Sequence, residues 1–214
     1  MQRIKKILKK TLFYNIFIRL RKKIEATRWA FSGCPISPPD RVKSNAVKEY
    51  AEQFQLKIFV ETGTYLGQMI DGTKENFDEI VSIELDNELF ERAKKRFSEF
   101  KNITILHGDS AEILPKCIKD IRKPILFWLD AHYSAGFTIK GNLNTPINIE
   151  LESILKHPLN TEHVILIDDA RCFNGNDDYP TLNELEQLVM NKNPNLILNV
   201  KDDIIRIHKK LPQN

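Results

Sequence analysis

Apolar positions along the chain alternate between two periods. Residues 45–54 place Val47, Tyr50, Ala51 and Phe54 three and four apart, the spacing of one helical face. A short apolar run at 57–61 then reads as a strand. The same exchange repeats down the chain. Strands are predicted at 79–85, 103–107, 124–130 and 163–168, and helices at 66–77, 86–100, 110–121, 146–156 and 181–191. The helix at 86–100 is the clearest, with Phe90, Ala93, Phe97 and Phe100 on one side. Two last runs, 195–200 and 203–208, flank Lys201-Asp202 and predict a closing antiparallel hairpin. Strands that alternate with helices call for an α/β fold: a mostly parallel seven-stranded sheet with helices on both faces. Trp128, inside the fourth strand, reads as core.

Upstream of residue 45 the pattern differs. Ile4, Ile7, Leu8, Leu12, Ile16, Phe17, Leu20 and Ile24 keep helical spacing, but basic residues crowd around them. Residues 1–28 hold ten Lys or Arg against the single acid Glu25, a charge of +9. The remaining 186 residues hold 22 basic and 28 acidic side chains, a charge of −6. The overall +3 therefore belongs to an arm on a mildly acidic body, which argues against nucleic acid as the body's partner. Pro35, Pro38 and Pro39 mark a linker, dividing the chain into an extension at 1–40 and a domain at 41–214. The arm is expected to meet an anionic membrane surface or an acidic partner, or else to pack on the body or a second subunit in a homo-oligomer. The apolar stretch at 12–18 is short and followed by more basic residues, unlike a secretory signal. Three widely spaced cysteines, Cys34, Cys117 and Cys172, favour neither a disulfide framework nor a zinc site, and suit a reducing, cytoplasmic compartment, at most peripheral to a membrane.

Four groups of residues carry candidate chemistry, all just after predicted strands. The segment 61–67 (ETGTYLG) follows the first strand and opens a helix. Gly63 and Gly67 would let the backbone approach a ligand near a helix N-terminus. Glu84 ends the second strand, 21 residues after Gly63, a spacing suited to an acid that accepts bonds from ribose hydroxyls. It could instead cap the next helix, a task open to Asp86 as well. Asp109 and Ser110 follow the third strand, where a carboxylate can meet an exocyclic amine or simply cap a helix. The fourth and fifth strands end in Asp130, with His132 close by, and in Asp168-Asp169. In a parallel sheet neighbouring strand ends open on one edge, so these three carboxylates would converge. Such oxygen ligands suit a hard divalent cation such as Mg²⁺, which lowers the pKa of a bound hydroxyl.

Taken together, these residues resemble the class I S-adenosylmethionine-dependent methyltransferases over about residues 45–208. The resemblance implies a Rossmann-like fold with S-adenosylmethionine as cofactor. It places the methionine part at the turn containing Glu61, Gly63, Thr64, Tyr65 and Gly67, the ribose at Glu84, and the adenine at Asp109 and Ser110, with Asp130 lining the site. Tyr65 departs from the pattern, standing where the family's middle glycine falls. The acidic group is similar to that of metal-dependent O-methyltransferases of the catechol and macrolide-sugar types, with Asp130, Asp168 and Asp169 as the matching ligands. It implies O-methylation of a sugar or other small hydroxyl-bearing acceptor, with His132 and Asp130 as the catalytic candidates. His132 could equally be a loop histidine satisfied locally. The polar segment 134–145 is expected to be a mobile loop over the acceptor. A nicotinamide-dependent oxidoreductase fits the glycine spacing poorly. A methyltransferase-like binding protein without turnover stays open, and no Asn-Pro-Pro base-methylation motif is present.

Overall fold

The computed structural model describes residues 20–34, 37–130 and 145–210. Residues 20–31 are helical (α1). The body then runs α2 (Asp40–Gln53), β1 (Ile58–Thr62), α3 (Gln68–Thr73), β2 (Glu79–Glu84), α4 (Asn87–Arg96), β3 (Ile103–His107) and α5 (Ser110–Ile118). It continues with β4 (Ile125–Leu129), α6 (Ile147–Leu155), β5 (Val164–Ile167), α7 (Leu182–Lys192), β6 (Leu196–Lys201) and β7 (Ile204–Lys209).

All seven strands join one sheet in the order β3-β2-β1-β4-β5-β7-β6. The first five are parallel, and β7 runs antiparallel to both β5 and β6. Register follows the apolar runs, with Val60 beside Val81 on one side and Phe127 on the other. Strands β1, β4 and β5 are buried throughout, as continuous runs of Ile, Leu, Val and Phe require when helices cover both faces.

The period of two sorts the strand side chains into two cores. Val60, Ile83, Phe127, Ile165 and Ile207 pack with Leu114 of α5, Leu151 of α6 and Leu185 of α7. Phe59, Ile80, Leu126, Trp128 and Leu166 pack on the other face with Val47 of α2, Ile70 of α3 and Ala93 of α4. Trp128 is core, as expected.

Helix boundaries shift where polar residues hide the period. Helix α2 starts at Asp40, earlier than the apolar spacing of 45–54 shows, with Pro39 as its N-cap residue. Helix α4 ends at Arg96, because Phe97 already leaves helical geometry as C-cap. The expected helix at 66–77 is α3 followed by a 3₁₀ turn at Lys74–Asn76.

At the sheet edge away from the C-terminal strand ends, His163 accepts the backbone N–H of Ile125 at Nδ1, 3.0 Å away. Its Nε2 meets Nδ1 of His157 at 2.8 Å. With Nδ1 accepting, the proton sits on Nε2, so the pair is linked by a neutral imidazole donor. Burial, then His157, pushes the His163 pKa down to about 3.

Candidate active site

Every sequence candidate that the structure describes lies at the C-terminal ends of β1–β5. The turn after β1 carries three left-handed residues: Gly63 at φ 83, Tyr65 at φ 47 and Gly67 at φ 73. Gly67 is the N-cap of α3, and a Cβ there would lie 2.7 Å from the Phe97 ring, so both torsion and space demand glycine. Tyr65 takes the conformation a glycine would adopt more cheaply. Its backbone N–H donates to Glu84 Oε2 at 2.7 Å. The other Glu84 oxygen accepts the N–H of Asp86 at 2.9 Å. Glu84 thus ties the β1 turn to the head of α4. With about four lone-pair sites on its two oxygens, the carboxylate keeps capacity for a ligand. Burial raises the Glu84 pKa, against the pull of the backbone N–H groups of Asp86, Tyr65 and Leu85.

Glu61 is buried beneath this turn. Ser82 donates to Glu61 Oε2 at 2.5 Å, and Thr64 Oγ1 lies 2.6 Å from Ser82 Oγ. Burial, with Asp130 and Glu84 adding repulsion, holds the Glu61 pKa well above the usual carboxylate range. Asp86 and Asp109 both act as helix N-caps, accepting from Leu89 N at 2.8 Å and Ala111 N at 2.9 Å. Among the described residues, no hydrogen bond joins Asp109 to the Glu84 network.

Asp130, Asp168 and Asp169 do converge, with one oxygen from each lying within 4.8 Å of the others. The parallel ladder sets them there: Asp130 N donates to Thr62 O at 3.0 Å, and Asp168 N to Leu129 O at 3.1 Å. Asp169 is left-handed at φ 56, which Asp tolerates better than most residues. Its N–H donates to Asp168 Oδ1 at 2.9 Å. His132 and the segment 131–144 lie outside the described residues.

Three residues of the site escaped sequence reasoning. Lys43 on α2 bonds Asp168 Oδ2 through Nζ. Arg171 reaches Asp169 Oδ1 at 2.8 Å and also pairs with Asp203 in the β6–β7 turn. Glu150 on α6 is 1% exposed, and its pKa is pushed up to about 7 by burial, then by Asp109 and Asp130, with Ser110 and Thr62 hydroxyls opposing. Glu150 had a signal, since it stands on the apolar stripe of Ile147, Leu151 and Ile154 where an acid is out of place. Lys43 falls four residues before Val47 on the packed side of α2, but the preceding polar run hid the helix.

Among the described residues, the Lys43 ammonium and the Arg171 guanidinium, the latter shared with Asp203, reach the carboxylates of the cluster. Burial works against the Lys43 charge, yet Asp168, Asp130 and Asp169 outweigh it and raise its pKa. Burial, then Asp130, raises the Asp168 pKa despite Lys43. The Asp168 shift thus reflects burial first, and the Lys43 shift the carboxylates around it. Three converging carboxylate oxygens are the donor type of a hard divalent cation, provided the Lys43 ammonium yields its place on Asp168.

The strand order and closing hairpin are the Rossmann-like fold of class I methyltransferases. Among solved structures, the chain is similar to the methyltransferase PaMTH1 of Podospora anserina bound to S-adenosylhomocysteine, at 16% identity over 88% of this chain and 86% of that one, TM-score 0.54. It is also similar to the O-methyltransferase TomG of Streptomyces achromogenes in complex with S-adenosylmethionine, at 15% identity over 87% of both chains, TM-score 0.54. An O-methyltransferase of Bacillus cereus matches at 12% identity over 88% of this chain and 90% of that one, TM-score 0.55. No protein-family model and no curated protein sequence matches the chain.

Proposed function

We propose that this protein is an S-adenosylmethionine-dependent O-methyltransferase acting on a sugar or another small hydroxyl-bearing acceptor, with a divalent cation at Asp130, Asp168 and Asp169. The observation that carries the reading is the placement of the Glu84-braced glycine turn and the acidic cluster on one edge of a methyltransferase-type sheet. The turn's backbone and the remaining lone pairs of Glu84 would bind the cofactor's methionine and ribose parts. Asp109 and Ser110 would border the adenine. When bound, the cation supplies charge that lowers the pKa of an acceptor hydroxyl. The three aspartates would orient that hydroxyl toward the cofactor, and His132 would accept its proton. Holding both substrates in line does much of the remaining work.

Calorimetry with S-adenosylhomocysteine tests the cofactor half. Binding is expected for the natural chain, and Glu84→Ala should weaken it by about 1.5–3 kcal/mol, the worth of hydrogen bonds to a charged acceptor. No heat with the natural chain would overturn the reading. Transfer of labelled methyl groups to a panel of sugars and polyols tests the reaction. Full turnover after exhaustive chelation would remove the cation from it.

A further inference from the structure

Helix α1 is mounted the wrong way round for a helix that belongs to the body. At 100° per residue, Leu20, Ile24, Thr27 and Phe31 fall within about 60° of one another, one narrow stripe. A surface helix ordinarily turns such a stripe to the core. Here Leu20 is 55% exposed, Ile24 45% and Phe31 88%. The partly buried residues are Lys22, Ala26 and Trp29, on the opposite side of the helix. On that side Lys22 reaches Asp40 at the start of α2, 3.6 Å away. The apolar stripe thus faces outward, on the side of the helix away from this ion pair.

Charge completes the pattern. Lys23 and Arg28 flank the stripe on its two sides, at roughly −60° and +80° from Leu20. Long basic side chains beside an apolar stripe can lay their stems along it and keep their heads at a polar boundary. The segment 1–28 carries +9 and the rest of the chain −6. A second copy docking stripe to stripe would bring two such segments together. Anionic headgroups would instead neutralise the cations while the acyl region takes the apolar residues. No described helix is long and apolar enough to cross a membrane.

We propose that the outward face of α1 docks the protein on an anionic lipid surface, Leu20, Ile24 and Phe31 entering the interface and the flanking basic residues meeting the headgroups. The full chain should co-sediment with phosphatidylcholine vesicles containing phosphatidylserine and remain in solution with phosphatidylcholine alone. The Ile24→Glu/Phe31→Glu double variant, altered only at exposed positions, should lose at least about tenfold in vesicle affinity while keeping its thermal midpoint. Three results would overturn the proposal: no sedimentation of the full chain with the anionic vesicles at low salt, equal sedimentation of the natural chain and the double variant, or a dimer by light scattering that the variant dissolves while vesicles bind neither protein.

Discussion

Replacing Lys43 by methionine would isolate the charge balance of the acidic cluster. The change keeps the length of the side chain and removes its ammonium from Asp168, which is 4% exposed and has Asp130 and Asp169 within 4.8 Å. Removing one member of a buried pair typically costs about 3–5 kcal/mol. The Lys43 side chain keeps 17% exposure, and a proton can enter the cluster, so a loss of about 2–3 kcal/mol is expected. For a chain of this size each kcal/mol moves the thermal midpoint by roughly 2–4 °C, giving a fall of roughly 4–12 °C in chelator. Mg²⁺ should then act more strongly on the variant than on the natural protein, because no Lys43–Asp168 bond has to break first. At a hundredfold excess over its Kd the ion would return about 2.7 kcal/mol. Thermal unfolding of both proteins across a Mg²⁺ series measures this directly. Equal midpoints in chelator, or equal Mg²⁺ shifts in the two proteins, would refute the reasoning.

Two further predictions concern buried titratable groups. The Glu150 pKa is raised to about 7, so its protonated form is favoured in the fold, and stability is complete below the unfolded value near 4.5 and declines as pH rises through 7. Glu150→Gln should therefore be more stable than the natural protein by about 2–3 kcal/mol at pH 8 and no more stable near pH 4.5, by urea unfolding; the same difference at both pH values would contradict the assignment. His163 has the opposite sign of linkage. Its pKa is lowered to about 3, so its contribution is complete above 6.5 and declines as pH falls, by about 2 kcal/mol at pH 5. An NMR titration of the His163 ring should find it neutral at pH 5, and a midpoint near 6.5 would count against the buried pair.

The fold was legible because its signals are local and repeated. Runs such as Ile58–Thr62 and Ile125–Leu129 admit little but buried strands, and each was followed by a helical period. The candidates at the strand ends were legible for the same reason, since a parallel sheet brings all its C-terminal ends to one edge. Lys43 was hidden because its partner lies far along the chain, and Arg171 because its second partner, beyond nearby Asp169, does too. Asp168 is 125 positions from Lys43, and Asp203 is 32 positions from Arg171. No spacing rule reaches that far. Glu84 and Asp109 were read as ligand contacts or helix caps. The structure gives Asp109 a cap and makes Glu84 a brace, with Asp86 as the cap of α4.

The sheet order sets space against time. Strand β7 comes last of the seven in the chain, yet it lies between β5 and β6. During synthesis β5 therefore waits with one edge unpaired until the closing hairpin emerges. Asp203, in the hairpin turn, also completes the grip on Arg171 beside Asp169. The five parallel strands alone would leave the acidic corner open and a hydrophobic strand edge exposed, a form prone to pair with other chains. Shortening this protein from its C-terminal side would accordingly remove an inner stave of the sheet rather than trim its border. The edge left open in that way would border the corner that holds Asp168 and Asp169.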